Sequence, residues 1–211
     1  MDSSSYEGYL KPTELCDFDH AQEIRHTAIT LTSGLTATRH KVTAIAAFVK
    51  ELKYVYEDWT VRASQTLVTE KGMCSSKTNL FIALLRCVDI PARYRVFRVK
   101  AELDLFEWLI TQDTRIEWAN YIEHQDHVVA DVLLDDWHVY DLSKDTAYEN
   151  GLRKLGIPLE LQPIRGGLLT LASFDEWAFR RQQKRKPKEN EPGVFSLANE
   201  QLERIRLLGK P

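Results

Sequence analysis

Cys74, His127 and Asp141 are the residues of this chain whose types and places suit covalent chemistry. Cys74 follows Lys71-Gly72-Met73, where Gly72 permits a tight turn, and it stands just before a run that is almost wholly apolar from Thr78 to Val88. A cysteine in that place opens a helix. The first turn of a helix presents unpaired N–H groups and the positive end of aligned peptide dipoles, and both favour thiolate over thiol. The Cys74 N–H is also a donor for negative charge developing on an attacked carbonyl oxygen. Such a sulfur needs a base, and His127 and Asp141 bracket two short β-rich runs, His127 to Leu134 and Trp137 to Asp141, with Asp135-Asp136 between them. In an antiparallel hairpin the start of one strand faces the end of the other, so Asp141 meets His127 and fixes its ring, leaving the second ring nitrogen for Cys74.

The elements that must hold these residues follow from periodicity. Ala21, Ile24, Ala28 and Leu31 line one face of a first helix, with Asp19 as its N-cap and Gly34 past its end. Val42, Ile45, Val49, Leu52 and Tyr56 line a second. The Thr78–Val88 run is apolar on all sides, which predicts a buried helix ending before Pro91, and Ser75 or Ser76 is placed to cap it. Tyr94, Val96, Phe97 and Val99 predict a strand. The stretch 148–170, rich in Gly and Pro, is expected to be mostly loop. A short last helix is expected from Ser196, after the basic run Arg180 to Lys188, which is read as a solvated linker. The domain expectation is a catalytic domain over residues 1–180, followed by a linker and helix over 181–211.

Composition narrows the classes. With 44% apolar residues and five Trp in 211 residues, the chain can bury a sizeable core. A net charge of −3 argues against nucleic acid as a default partner, and no apolar run reaches the length of a membrane span. The N-terminus shows no basic region leading into an apolar stretch. Three cysteines do not form a disulfide framework, so the expected compartment is the reducing cytoplasm. No metal-ligand spacing or phosphate loop is visible, and no cofactor is expected.

Other residues compete for each role. His124 can replace His127 as base, while His138 is read as exposed, on a different face from Tyr140. Asp131 or Asp145 can replace Asp141. Gln65 or Trp59, both ahead of the nucleophile, can supply a second oxyanion donor. Cys87 is read as core, and Cys16 has no assigned role.

Several segments together resemble the transglutaminase-like superfamily, whose small bacterial members they fit best. These are Ala63-Ser64-Gln65-Thr66-Leu67, Gly72-Met73-Cys74, Lys77, Ala83-Leu84-Leu85-Arg86 and Ile90-Pro91-Ala92-Arg93, followed by His127, Leu134-Asp135, Trp137 and Asp141. Leu10-Lys11-Pro12-Thr13 and Asp17-Phe18-Asp19-His20 extend the likeness toward the N-terminus. The resemblance departs from the family pattern at Val88-Asp89, Asp135-Asp136 and Val128. It implies a papain-like α+β fold with the nucleophile helix packed on an antiparallel sheet, and chemistry through a thiol acyl-enzyme. The implied substrates are peptide, amide, ester or thioester carbonyls, protein-borne ones included, with the acyl group passing to water or an amine. Residues 101–120, with Trp108 and Trp118, are expected to cover the cleft. A binding module that keeps the fold without turnover is the reading from another class.

Overall fold

The structure, a computed structural model, describes residues 3–99, 125–159, 168–184 and 192–210. A 3-10 helix over Ser3–Tyr9 precedes α1 (Gln22–Thr32) and α2 (Thr38–Glu51). Next come the two-residue β1 (Lys53–Tyr54), α3 (Ala63–Thr69), β2 (Lys71–Gly72) and α4 (Cys74–Arg86). The strands β3 (Ala92–Val99), β4 (Gln125–Leu133) and β5 (Trp137–Tyr140) follow. Last are α5 (Thr146–Lys154), β6 (Leu169–Leu171), α6 (Asp175–Gln183) and α7 (Pro192–Gly209).

The architecture is α+β, as the sequence implies. The four-stranded sheet has the order β5-β4-β3-β6, with every pair antiparallel. Its inner face, Ala92, Tyr94 and Val96 of β3 with Val128, Ala130 and Val132 of β4, joins the same core as α4. On the other side, α1 contributes Ile24 and Ala28, and α2 contributes Val42, Ile45 and Val49, both at helical spacing. Between these layers α4 is buried along its whole length, polar residues included.

Most of those polar groups find partners that tie α4 in place, while Ser75 Oγ and Asn79 Oδ1 have none among the described residues. At its far end Arg86 donates to the Ala92 carbonyl through Nε (3.2 Å) and an η nitrogen (2.8 Å), and to the carbonyls of Lys11 and Ala172. Midway, Thr78 Oγ1 donates to the Val128 carbonyl (3.3 Å) and Asn79 Nδ2 to the Val61 carbonyl (2.9 Å). Near its start, the Met73 N–H donates to Ser76 Oγ (2.8 Å), the reaching-back half of a capping box. Gly72 lies in β2 instead of forming a tight turn. A Cβ there would meet Ser76 Oγ at 2.7 Å and Lys77 Cγ at 3.0 Å, so the glycine is required by close packing.

Five expectations need correction. α2 ends at Glu51 with Leu52 as its C-cap, so Tyr56 lies beyond β1 and not on the helix face. Ala21 rather than Asp19 is the N-cap of α1, which begins at Gln22. Thr146–Lys154 is a helix, not loop, with the Asp145 carboxylate accepting the Tyr148 N–H (2.9 Å) as its N-cap. His138 and Tyr140 share one face, opposite Val132 and Ala130, because residues two apart on a strand must do so, and His138 is half-buried. Arg180 and Arg181 end α6 rather than lying in a solvated linker, and Arg181 Nε donates to Asp126 (2.9 Å). Residues 185–188 of the basic run, residues 160–167, residues 101–120 and His124 lie outside the described residues.

The C-terminal helix starts at Pro192 and is 18 residues long. It crosses α5 so closely that a Cβ on Gly151 would meet the Ile205 carbonyl oxygen at 2.0 Å. Gly151→Ala improves helix propensity by roughly 1 kcal/mol and forces two backbones apart, which costs about 1–3 kcal/mol. The clash is backbone against backbone and should win. Thermal unfolding is expected to show Gly151→Ala less stable than the wild type, and an increase in Tm would contradict this packing.

Candidate active site

The hairpin register brings His127 and Asp141 together. Ala130 pairs with Tyr140, which sets Asp141 opposite Val129. His127 is two residues further along the same face, within the diagonal reach of cross-strand side chains. His127 Nε2 lies 2.8 Å from Asp141 Oδ2. The other oxygen, Oδ1, accepts from the Ser143 N–H (3.0 Å) and the Ser143 hydroxyl (2.6 Å). Phe97 stands edge-on to the imidazole, with ring centroids 5.4 Å apart.

Cys74 reaches this pair from the start of α4. The Thr78 bond to Val128 holds the helix one turn further on, so its first residue is level with His127. The Cys74 thiol and its charge act on the His127 ring, and both push the imidazole upward. Asp141 occupies Nε2, which leaves Nδ1 as the ring nitrogen for another partner. The three residues singled out from sequence therefore stand within electrostatic reach of one another.

Charge is distributed accordingly. Burial alone would pull the imidazole down. The Asp141 charge and hydrogen bond, reinforced by Cys74, overcome it and raise His127 to about 9. Burial pushes Asp141 upward, but His127 first, then Lys144 and Ser143, hold it far below the ordinary carboxylate range. Burial pushes the thiols of Cys16 and Cys87 up to about 12 and about 11.

The competing residues are committed elsewhere. Asp131 is wholly buried and paired with Arg93 and Arg95, and Arg95 donates to it at 2.9 Å. Asp145 caps α5 and accepts from Arg206 Nε (2.8 Å) and the Tyr54 N–H (2.9 Å). Gln65 is exposed, and its Oε1 accepts the Arg62 N–H (3.0 Å) at the start of α3, so the side chain serves as a helix cap. Trp59 is buried edge-on to Trp177, with centroids 5.2 Å apart, and its N–H donates to Gln182 (3.1 Å).

Four residues that support the site carried no sign of that role in the sequence. β1 pairs in parallel with β2, setting Tyr54 against Gly72. Tyr54 and Tyr56, rings edge-on at 5.7 Å, both sense the charge of Cys74. Burial, then that charge, raises Tyr56 to about 12, so its hydroxyl stays protonated. Asn199 of α7 holds Tyr56 by its backbone, accepting its N–H (2.7 Å) and donating to its carbonyl (3.0 Å). Glu57 accepts from the Met73 N–H (3.1 Å) and from Ser76 Oγ at the start of α4, and Ser143 braces Asp141. No cluster of His, Cys, Asp and Glu fit to hold a metal ion occurs among the described residues.

A papain-like α+β core with a thiol at a helix start and an imidazole–carboxylate pair on the adjoining hairpin defines a class of thiol enzymes. The family model of the transglutaminase-like superfamily matches residues 25–142, more than half of the chain, and the protein belongs to that superfamily. The matched stretch contains Cys74, His127 and Asp141. No curated protein matches the sequence. Among solved structures, the crystal structure of a protein from Cytophaga hutchinsonii, provisionally named a cysteine protease, is similar with a TM-score of 0.55 and 20% identity. The similarity covers 84% of this chain and 50% of that one. This chain thus spans half the length of that protein, and the likeness is one of fold.

The linkage between His127 and stability has a definite sign. A histidine raised from 6.5 to about 9 contributes stability that is complete below about 6.5 and is lost as the pH climbs through about 9. Asp141, held low, contributes above its ordinary carboxylate range and loses that contribution in acid. An NMR titration of the His127 ring should give a midpoint near 9 that falls in Asp141→Asn. Urea unfolding should show stability declining over that alkaline interval in the wild type and level in His127→Gln. A wild-type midpoint at the ordinary imidazole value would remove the electrostatic account.

Proposed function

We propose that the protein is an acyl-transfer thiol enzyme that forms an acyl-enzyme on Cys74 from an amide, ester or thioester carbonyl. The observation that carries this reading is the His127–Asp141 hydrogen bond beside Cys74 at the opening of α4, with the thiol acting on the imidazole. His127 takes the thiol proton, and the Asp141 carboxylate stabilises the imidazolium that results. The sulfur attacks the carbonyl carbon. The Cys74 N–H holds the developing oxyanion. Collapse of the adduct breaks the bond to the amine, alcohol or thiol, which leaves with the proton from His127. Water or an amine, deprotonated by the same imidazole, then attacks the thioester and releases the Cys74 thiolate. No step calls on a group that the chain does not supply.

Membership of the superfamily supports the thiol chemistry, and the separation of the three cysteines by environment supports the choice of nucleophile. The acceptor is set by how far water is excluded once the acyl group is bound. No helix among the described residues is long and apolar enough to cross a membrane.

Iodoacetamide should label Cys74 first, Cys87 slowly and Cys16 only on unfolding. Preferential labelling of either other cysteine would refute the assignment. With an activated ester or thioester as donor, intact mass should show one acyl adduct. Cys74→Ala should abolish both adduct and turnover, a loss of roughly 10⁴-fold or more, with an unchanged circular dichroism spectrum.

A further inference from the structure

We propose that Lys77 is a positioning residue for the Cys74–His127–Asp141 chain, acting through Ser143. The inference rests on the thiol reading above and adds a member that touches neither sulfur nor imidazole. Lys77 follows Cys74 by three residues on α4 and its side chain is wholly buried. The ammonium donates to the carbonyls of Leu52 (2.7 Å), Lys50 (3.1 Å) and Ser143 (3.1 Å). Three protons meet three acceptors, so the group is saturated.

The third bond matters most. The first two tie α4 to the end of α2, a task any short donor can perform. The bond to Ser143 crosses to the loop after β5, where the Ser143 N–H and hydroxyl converge on Asp141 Oδ1 (3.0 and 2.6 Å). The contacts then close on themselves. From Cys74 they run to His127, to Asp141, to Ser143, to Lys77, and back along one turn of α4 to Cys74. The nucleophile and the carboxylate that orients its base are thereby fixed from the same helix. The carboxylate would otherwise sit on a loop just past a strand end, with its side chain 37% exposed and free to swing away from the ring.

A buried charge is a poor choice for filling space. Desolvation pulls Lys77 down to about 7, and an apolar side chain would carry no such penalty. Asp145 and Asp141 offset part of the desolvation, while Lys50 and Arg206 add to it. Arg206 is held by Asp145 itself, so these charged groups share one interior network. A residue kept there against its desolvation fits a demand for three donors at one point.

The test compares wild type, Lys77→Met, Asp141→Ala and the double variant. Two readouts are used: the NMR titration midpoint of His127 and the rate of Cys74 alkylation by iodoacetamide at neutral pH. Methionine matches the length of lysine and leaves no buried charge. Lys77→Met should move the His127 midpoint from about 9 toward 6.5 and slow alkylation about tenfold for each unit of the move. In the Asp141→Ala background the same substitution should change neither readout. A folded Lys77→Met protein with the midpoint still near 9 overturns the inference. So does an equal effect with and without Asp141, which would make Lys77 a general core residue. If Lys77→Met does not fold, Ser143→Ala examines the same link from the loop, and an unmoved His127 midpoint there overturns it equally. Wild-type Cys74 that resists alkylation refutes the thiol reading and the inference with it, whereas normal wild-type labelling with unmoved variants refutes the inference alone.

Discussion

A helix enclosed on every side must find partners for most of the polar groups it carries, and α4 carries many. Ser75, Ser76, Lys77, Thr78, Asn79 and Arg86 are all buried with it. An unpaired buried donor costs about 1–3 kcal/mol, so each bond they make is held firmly. Ser76 draws in Glu57, Lys77 the end of α2 and the Ser143 loop, Thr78 the β4 backbone, Asn79 the segment before α3, and Arg86 the start of β3. The apolar residues of α4 supply the drive for burial, roughly 1.5–3 kcal/mol for each large side chain. The polar ones decide how the surrounding elements stand against it. Cys74 is the residue this arrangement presents to the hairpin.

The same enclosure separates three chemically identical thiols. Cys16 and Cys87 lie where burial holds the proton on sulfur, while Cys74 lies against an imidazole backed by a carboxylate. α7 stands outside the matched family segment yet grips its working end. Arg206 holds Asp145 and the Tyr54 carbonyl, and Asn199 holds the backbone of Tyr56. The Tyr54–Tyr56 pair is thus fixed by an element remote in sequence.

Much of this was legible in the chain before any coordinates. The period of α1 and α2, the all-apolar run of α4 and the β4–β5 hairpin follow from pattern, and the hairpin by itself brings His127 to Asp141. α5 was hidden because Gly151 has the signature of a loop, whereas here a glycine is what allows two helices to touch. Gln65 was open to misreading because a glutamine ahead of a nucleophile has two uses, and its place three residues after Arg62 settles it as a cap. Lys77 carried only a motif match, because the carbonyls it binds come from Lys50, Leu52 and Ser143, far from it in sequence. Local pattern reports which residues are buried. It does not report which distant backbone they reach.

The account stands on the closeness of one sulfur to one imidazole, and a short bifunctional alkylator measures that closeness directly. Dibromoacetone first alkylates a reactive thiol, and its second arm then captures whichever nucleophile lies within a three-carbon span. Digestion and mass spectrometry should recover the Cys74 and His127 peptides joined by that bridge, with loss of both bromides. Recovery of Cys74 capped alone, or joined to any residue other than His127, would contradict the account.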